Sequence, residues 1–336
     1  MAEVPEENRQ IVLRRRPDGL LRPGDTELVS SPMPAVQDGE ALARNLYLGI
    51  EAAMRNWLTG TEGGYMPPVE IGEVVKGSSV SEIIESRCDA YAVGDIVTSL
   101  GSWQDYTICR DDIFTTPVSR EVEPHRHLSL YNSSGVTAFL GMEIGAPKPG
   151  DTVLVSAAAG GTGSIAGQVA RIMGASRVVG IAGTAEKCAI AVEEFGFDSC
   201  INHRDGNLKA QLKEHCPDRV DVYFDNVGGE ILDTVLGGIA QGARVVLCGA
   251  IASYLPGKLP GPRNYTNLMS REATMTGFVS FSHWDRFDDI FTTLRSWADA
   301  GRIHVRETIF EGLEQGPEAL NALFTGANIG KTMIRP

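Results

Sequence analysis

The chain has 336 residues, 43% hydrophobic and 22% charged, with a formal net charge of -13. That length allows two domains and a sizeable core. The acidic balance argues against nucleic-acid or anionic-membrane partners, both of which need concentrated Lys and Arg.

No apolar run approaches a membrane span. The acidic start, Met1 to Asn8, lacks a signal-peptide core, so a cytoplasmic protein is expected. The six cysteines, Cys88, Cys109, Cys188, Cys200, Cys216 and Cys248, include no Cys-x-x-Cys pair. That pattern fits reduced thiols and leaves no zinc knuckle. His125-x-His127 lies beside Pro124 with no third ligand nearby in sequence, so no metal is expected.

In chain order, residues 1 to about 130 read as short strands cut by Gly and Pro. Arg14-Arg15-Arg16 is a solvated strand end before a Pro-Asp-Gly turn. Strands are predicted at Ala41–Ile50, Ile71–Val75, Val80–Ile84, Asp95–Val97 and Gln104–Ile108. Many short strands with regular turns suggest a barrel-like β domain.

From Leu130 the pattern changes to alternating strands and helices. Asp151–Ser156 is β-branched and apolar, a buried strand after the Lys148-Pro-Gly150 turn. Ala157-Ala-Ala159-Gly160-Gly161-Thr162-Gly163 follows, with nothing bulky in it. Ser164–Met173 then sets Ile165, Val169, Ile172 and Met173 on one helical face, and Arg177–Ala182 is a second apolar strand. Strand, glycine turn, helix and strand form the βαβ unit that binds dinucleotides. A pyrophosphate sits on free N–H groups at a helix N-terminus. It approaches only where Cβ atoms are missing, as at Gly160 and Gly163. Further strands at Val220–Phe224, Ala243–Cys248 and Thr274–Val279, with helices through Leu236 and over Phe287–Ala300, complete a doubly wound parallel sheet. The tail from Gly301 reads strand–helix–strand and is expected to rejoin the first domain.

An NAD site usually carries an acid near the end of the second strand, to hold the ribose hydroxyls. Here that strand ends Ile181-Ala182-Gly183-Thr184, with Lys187 close behind, and Asn202-His203-Arg204 ends the next strand. A missing acid with nearby cations suits a 2′-phosphate. At about 1.5–3 kcal/mol per charge-assisted contact, two contacts favour NADP by roughly a hundred-fold or more. Tyr254-x-x-x-Lys258 has the spacing of a short-chain dehydrogenase pair, but Pro256-Gly257 break the helical turn it needs.

Several segments together resemble a family. They include Ala53-Met54-Arg55, Pro67-Pro68-Val69, Gly135-Val136-Thr137-Ala138, Val155–Gly160, Glu186-Lys187-Cys188, Phe224–Glu230, Cys248–Tyr254 and Asn328–Thr332. With them the chain resembles the zinc-free medium-chain dehydrogenase/reductases, and within those the leukotriene 12-hydroxydehydrogenase and prostaglandin or alkenal double-bond reductases, curcumin reductases included. The similarity runs nearly the whole length.

The resemblance implies an α/β fold, with a GroES-like β-barrel domain over residues 1–129, completed by 301–336, and a Rossmann domain over 130–300. It implies NADPH, no metal and a homodimer. Lys187 matches the family's 2′-phosphate lysine, and His203 stands where the family often has Tyr, beside Arg204. The cofactor set expected is Ala159, Gly160, Gly161, Thr162, Gly163, Gly183, Lys187, His203, Arg204, Asn226, Cys248, Gly249, Ala250, Ile251, Phe278, Val279, Ser280 and Asn328. Where the family commonly has a Tyr that bonds the substrate carbonyl, this chain has Ala53, so Tyr65, with Met54 and Arg55, is the expected substrate contact. The implied reaction reduces the carbon–carbon double bond of an enone or enal. Hydride goes to the β-carbon, and the enolate oxygen is held by Tyr254 and the cofactor ribose. A quinone reductase of the same superfamily and a non-catalytic NADPH-binding protein are the alternatives.

Overall fold

A computed structural model describes residues 4–60, 66–131, 133–255 and 261–336. Among them the chain begins with β1 (Glu7–Leu13), β2 (Thr26–Pro32), β3 (Glu40–Ile50), α1 (Met54–Trp57), β4 (Ser79–Ser86) and β5 (Ile96–Ser99). Then come β6 (Tyr106–Arg110), β7 (Thr116–Val118), α2 (Pro124–Ser129) and α3 (Ser133–Gly145). Strands and helices then alternate: β8 (Thr152–Ser156), α4 (Gly161–Ile172), β9 (Arg177–Ala182), α5 (Ala185–Glu193), β10 (Ser199–Asn202) and α6 (Leu208–His215). They continue with β11 (Val220–Asp225), α7 (Gly229–Leu236), β12 (Ile239–Leu247), α8 (Thr266–Ser270), β13 (Thr274–Gly277) and α9 (Phe287–Asp299). The tail is β14 (Glu307–Glu311), α10 (Gly316–Thr325) and β15 (Lys331–Arg335).

Two compact units result, one made of Met1–Leu128, Glu307–Asn328 and Thr332–Pro336, the other of Ser129–Arg306 and Ile329–Lys331. In the first, β1 and β2 form an antiparallel hairpin. A seven-stranded sheet runs β14-β15-β3-β4-β5-β7, with β6 also paired to β3. This is the GroES-like sheet domain. Its core gathers Leu13, Leu48, Met54, Leu58, Trp103, Leu320 and Ile334.

The second unit is a Rossmann sheet of six parallel strands in the order β10-β9-β8-β11-β12-β13. Its central strands are apolar at consecutive positions because both faces are covered. Val153 and Val155 of β8 pack with Ile165, Val169 and Leu294 on one face. Leu154 packs with Tyr223, Leu232 and Val235 on the other. Full burial of a side chain such as Ile165 or Val169 contributes about 1.5–3 kcal/mol. Helix α3 carries the Gly135, Gly141 and Gly145 positions that admit Leu130, Phe224 and Val222 closely, and most of its residues are buried.

Several predicted boundaries move, among them β12, which starts at Ile239 rather than Ala243, and β6, which runs Tyr106–Arg110. Ile71–Val75 is a turn, with the Glu73 N–H donating to the Glu70 carbonyl at 3.0 Å and Gly72 at φ +95°. Only Val74 keeps a bridge there, to Val12. Helix α4 starts at Gly161, three residues early, so the glycines form its first turn. Strand β13 stops at Gly277.

Candidate cofactor and active site

The parallel sheet has one carboxyl edge, and its strand order reverses between β8 and β11. Ligands of such sheets bind outside that edge at the reversal. There Ser156 ends β8 and Asp225 ends β11. The Ser156 hydroxyl donates to the Asp225 carboxylate at 3.1 Å. It also accepts from the Asn226 N–H at 2.9 Å, while the Asn226 amide donates to the Ser156 carbonyl at 2.7 Å.

Asp225 is fully buried. Its carboxylate accepts from the Tyr223 phenol at 2.7 Å and from the N–H groups of Val227 and Gly228, each at 3.0 Å. The phenol is held well above its usual range, chiefly by burial. No basic side chain is among these partners, so local amides and hydroxyls satisfy the carboxylate. Ser156 and Asp225 were not among the predicted site residues. Asp225 opens Asp-Asn-Val-Gly-Gly, a turn-capping pattern that could have marked it.

After β8 the chain turns through Ala157 at φ +52°, with the Gly160 N–H donating to the Ala157 carbonyl at 2.9 Å. Gly160 is the N-cap of α4, so the amides of Gly161, Thr162 and Gly163 form the first turn, where helix geometry supplies them no acceptor. A Cβ at Gly163 would overlap the Ala157 carbonyl, and one at Gly160 would lie 3.1 Å from that oxygen. Both glycines therefore keep the cradle open for a pyrophosphate. Gly167 of α4 has no Cβ where the Phe197 ring, from the connection between α5 and β10, packs against it.

A further part of the cradle comes from the tail. The Gly330 N–H donates to the Ala159 carbonyl at 2.8 Å, and Gly330 bridges Gly160. At φ +65° and against the Arg306 carbonyl, position 330 admits only glycine. Gly330 was not in the predicted cofactor set, although it lies in the family-like segment Asn328–Thr332, which could have marked it.

At the β9–β10 end the Lys187 and Arg204 cations gather with the His203 ring. Thr184 caps α5, accepting from the Lys187 N–H at 3.2 Å. A Cβ at Gly183 would sit 3.3 Å from the His203 ring and 3.5 Å from the Arg204 guanidinium. Burial, then the neighbouring Arg204 charge, lower the pKa of Lys187, with Glu186 partly offsetting them. His203 is lowered by the same two causes. Cations held near one another in part-buried surroundings are a seat for a dianion. These residues and the open cradle together fit a dinucleotide that carries a 2′-phosphate.

On the other side of β8, the loop after β12 is stitched to the Asn226 turn. Cys248 and Gly249 N–H groups donate to the Asp225 carbonyl at 2.9 and 3.0 Å, and Ile251 and Ala252 donate to Asn226 and Val227 at 3.3 and 3.1 Å. Burial pushes the Cys248 thiol up to about 12. The loop carries Tyr254, whose phenol oxygen accepts from the Ala250 N–H at 3.2 Å. Burial is the first cause that raises its pKa. Phe278, Val279 and Ser280 follow β13 at the same edge. Phe278 packs on the core, Val279 is exposed and Ser280 is buried. Next to them Phe281 and Trp284 stack with centroids 5.3 Å apart.

The predicted cofactor residues all lie in this unit except Asn328, which is buried in the other. Tyr65 lies outside the described residues. Met54 and Arg55 are 0% and 1% exposed. Arg55 donates to the carbonyls of Gly19 and Pro17, both at 2.8 Å, and so clamps the Asp18-Gly19 turn. Both side chains are committed to packing within the first unit. The His127 ring is 2.9 Å from the Ser119 carbonyl. Among the described residues no three His, Cys, Asp or Glu side chains gather as a metal site, and no helix is long and apolar enough to cross a membrane.

The chain matches two family models, described as the N-terminal domain of oxidoreductase over residues 9–116 and as zinc-binding dehydrogenase over residues 161–296. It is 36% identical to the NADPH-dependent curcumin reductase of Escherichia coli, across 100% of this chain and 99% of that one. It is 32% identical to the 2-alkenal reductase (NADP(+)-dependent) of Nicotiana tabacum, over 97% of each. Among solved structures, CurA from Vibrio vulnificus in complex with NADPH superposes with a TM-score of 0.92 at 36% identity, covering 97% of this chain and 98% of that one.

Proposed function

The chain belongs to the zinc-free medium-chain dehydrogenase/reductases of the double-bond reductase group, and from that premise we propose that it reduces the carbon–carbon double bond of α,β-unsaturated ketones or aldehydes. It is an oxidoreductase, and its cofactor is NADP(H). We assign the pyrophosphate to Gly160–Gly163 and the 2′-phosphate to Lys187, His203 and Arg204. The nicotinamide end goes to Asn226, Cys248–Ile251 and Phe278–Ser280.

Bound NADPH supplies the hydride that the β-carbon takes up. The protein's task is to hold the negative charge that then develops on the carbonyl oxygen. The observation that carries this reading is the Ala250 N–H donated to the Tyr254 oxygen. That bond occupies an acceptor site and leaves the phenol proton to point elsewhere. The raised pKa keeps the proton on the oxygen in neutral solution. Tyr254 is therefore the donor we assign to the substrate oxygen, and water or Tyr254 supplies the proton for the α-carbon.

We also propose a cytoplasmic homodimer. Strand β13 ends its sheet with all four residues exposed, and Tyr265, Met269 and Met275 are 59%, 80% and 37% exposed. An unpaired sheet edge beside large apolar side chains favours association with a like edge.

The test follows NADPH absorbance with enones of graded size, with quinones and with no acceptor, and identifies the product. Formation of the saturated ketone supports the reading, whereas turnover of quinones alone would replace it. Tyr254→Phe is expected to lower turnover by about ten-fold or more, as loss of an oxyanion donor does, with NADPH affinity nearly kept. An unchanged rate would remove Tyr254 from the reaction.

A further inference from the structure

Four aspartates are buried among the described residues: Asp25, Asp151, Asp225 and Asp233. Three of them meet a guanidinium, Asp25 that of Arg15, Asp151 that of Arg244 and Asp233 that of Arg263. Asp225 is the most deeply buried of the four, at 0% exposure, and among the described residues it meets no cation. Its five hydrogen bonds come from the Tyr223 phenol, the Ser156 hydroxyl and the Val227 and Gly228 amides, the last reaching both oxygens. All of these groups donate, so the acid is held as a carboxylate. Capping the turn does not need that charge, because an Asn would offer an oxygen to the same amides. A buried charge without a partner is costly. Its complement is a cation that arises in the site itself.

We infer that the Asp225 carboxylate is a fixed negative charge that favours the cationic, oxidised nicotinamide over the neutral, reduced one, and so assists hydride release. The inference rests on the placement of the nicotinamide end proposed above. Two of the segments given that role converge on Asp225. Asn226 follows it directly, and the Asp225 carbonyl accepts from the Cys248 and Gly249 N–H groups at 2.9 and 3.0 Å. A Cβ at Gly249 would lie 3.2 Å from the Asn226 carbonyl oxygen, so the two turns are in close contact. Hydride transfer moves a hydrogen with its electron pair from NADPH to the β-carbon, leaving a positive charge on the ring and a negative one on the substrate oxygen. An anion at the ring end acts on the first of these charges, and the Tyr254 proton on the second. Burial keeps water from Asp225, so its field is screened less than that of a surface charge. That field is felt in the loop after β12. Burial first, and Asp225 second, raise the Cys248 thiol. At Tyr254 burial again comes first, and Cys248 and Asp225 push the same way.

The experiment measures NADP+ and NADPH affinities by calorimetry for the full wild-type chain, for Asp225→Asn and for Asp225→Glu. In Asp225→Asn, NADP+ should weaken relative to NADPH by about five-fold or more, the scale of one charge acting across a part-buried site. Asp225→Glu keeps the charge and should keep the wild-type ratio. An equal loss for both nucleotides in Asp225→Asn, or the same shift in the Glu variant, would make Asp225 a support of the turn only and overturn the inference. A second measurement needs no variant and so does not depend on one folding. With adenosine 2′-phosphate filling the adenine half of the wild-type site, the cationic ring-methylated form of nicotinamide should bind more tightly than neutral nicotinamide in saturation-transfer NMR. Equal or reversed preference would overturn the inference while leaving the cofactor reading intact. Wild-type protein that bound neither NADP+ nor NADPH would instead overturn the cofactor reading and this inference with it.

Discussion

Lys187 could be picked out in the sequence because the ordinary ribose acid is missing and a cation stands nearby. That Lys187 comes close to His203 and Arg204 was an expectation there, and the structure supplies its cause in the pairing of β9 with β10. Replacing Lys187 by Ala should weaken NADPH binding by about ten-fold or more, as loss of one charge-assisted contact implies, and leave NADH binding almost unchanged. Calorimetry with both nucleotides checks this, and an equal loss for both would take Lys187 away from the 2′-phosphate.

His203 makes a pH prediction whose sign follows from its surroundings. In the free protein its pKa is depressed by burial and then by Arg204, so near neutrality the ring is uncharged. A phosphate dianion favours the charged ring, so binding takes up a proton. Affinity should therefore rise as pH falls through the usual histidine range, and His203→Gln should flatten that dependence. A wild-type slope that survives in the variant would place the proton elsewhere. The folded-state consequence runs with the same cause. A depressed histidine disfavours its protonated form, so this group costs stability as pH falls below its unfolded value. Asp225 shows what residue types alone conceal, because a turn-capping Asp and the buried hub of a site look alike until Ser156, Tyr223 and two amides are seen around it.

The glycine turn and its flanking strands were readable because period, composition and order agree there. The start of α4 was not, since Gly161 and Gly163 suggest a turn while Gly160 in fact caps the helix. The same ambiguity misplaced Ile71–Val75, whose apolar residues surround a Gly72 that bends the chain. Gly163→Ala should be the harsher change in the cradle, because its Cβ meets backbone rather than a movable side chain. Overpacking of that kind costs about 1–3 kcal/mol, and cofactor affinity should fall with it. Gly160→Ala, with its nearest contact at 3.1 Å, should be milder in both thermal melts and NADPH titration. The opposite ranking would mean that the Ala157 carbonyl does not set the shape of the turn.

For the whole molecule, strand–helix alternation and the family resemblance made the fold class readable. Assembly is written only in which edge remains uncovered. Light scattering should find a dimer at micromolar concentration, and Met275→Lys, which sets a charge on the exposed β13 edge, should shift it toward monomer. A monomeric wild-type protein would remove β13 from any such role. The pairing of Gly330 with Ala159 was not readable either, since the family-like segment Asn328–Thr332 marks the residues but not their distant partner. It bears on biosynthesis. The last tie on the phosphate cradle is translated after all six strands of its sheet, so a nascent chain on the ribosome can assemble that sheet while its nucleotide seat is still unfinished. Competence to hold the coenzyme therefore follows the sheet rather than accompanying it, and a polypeptide stopped before Ile329 should fold much of this unit yet bind the coenzyme poorly.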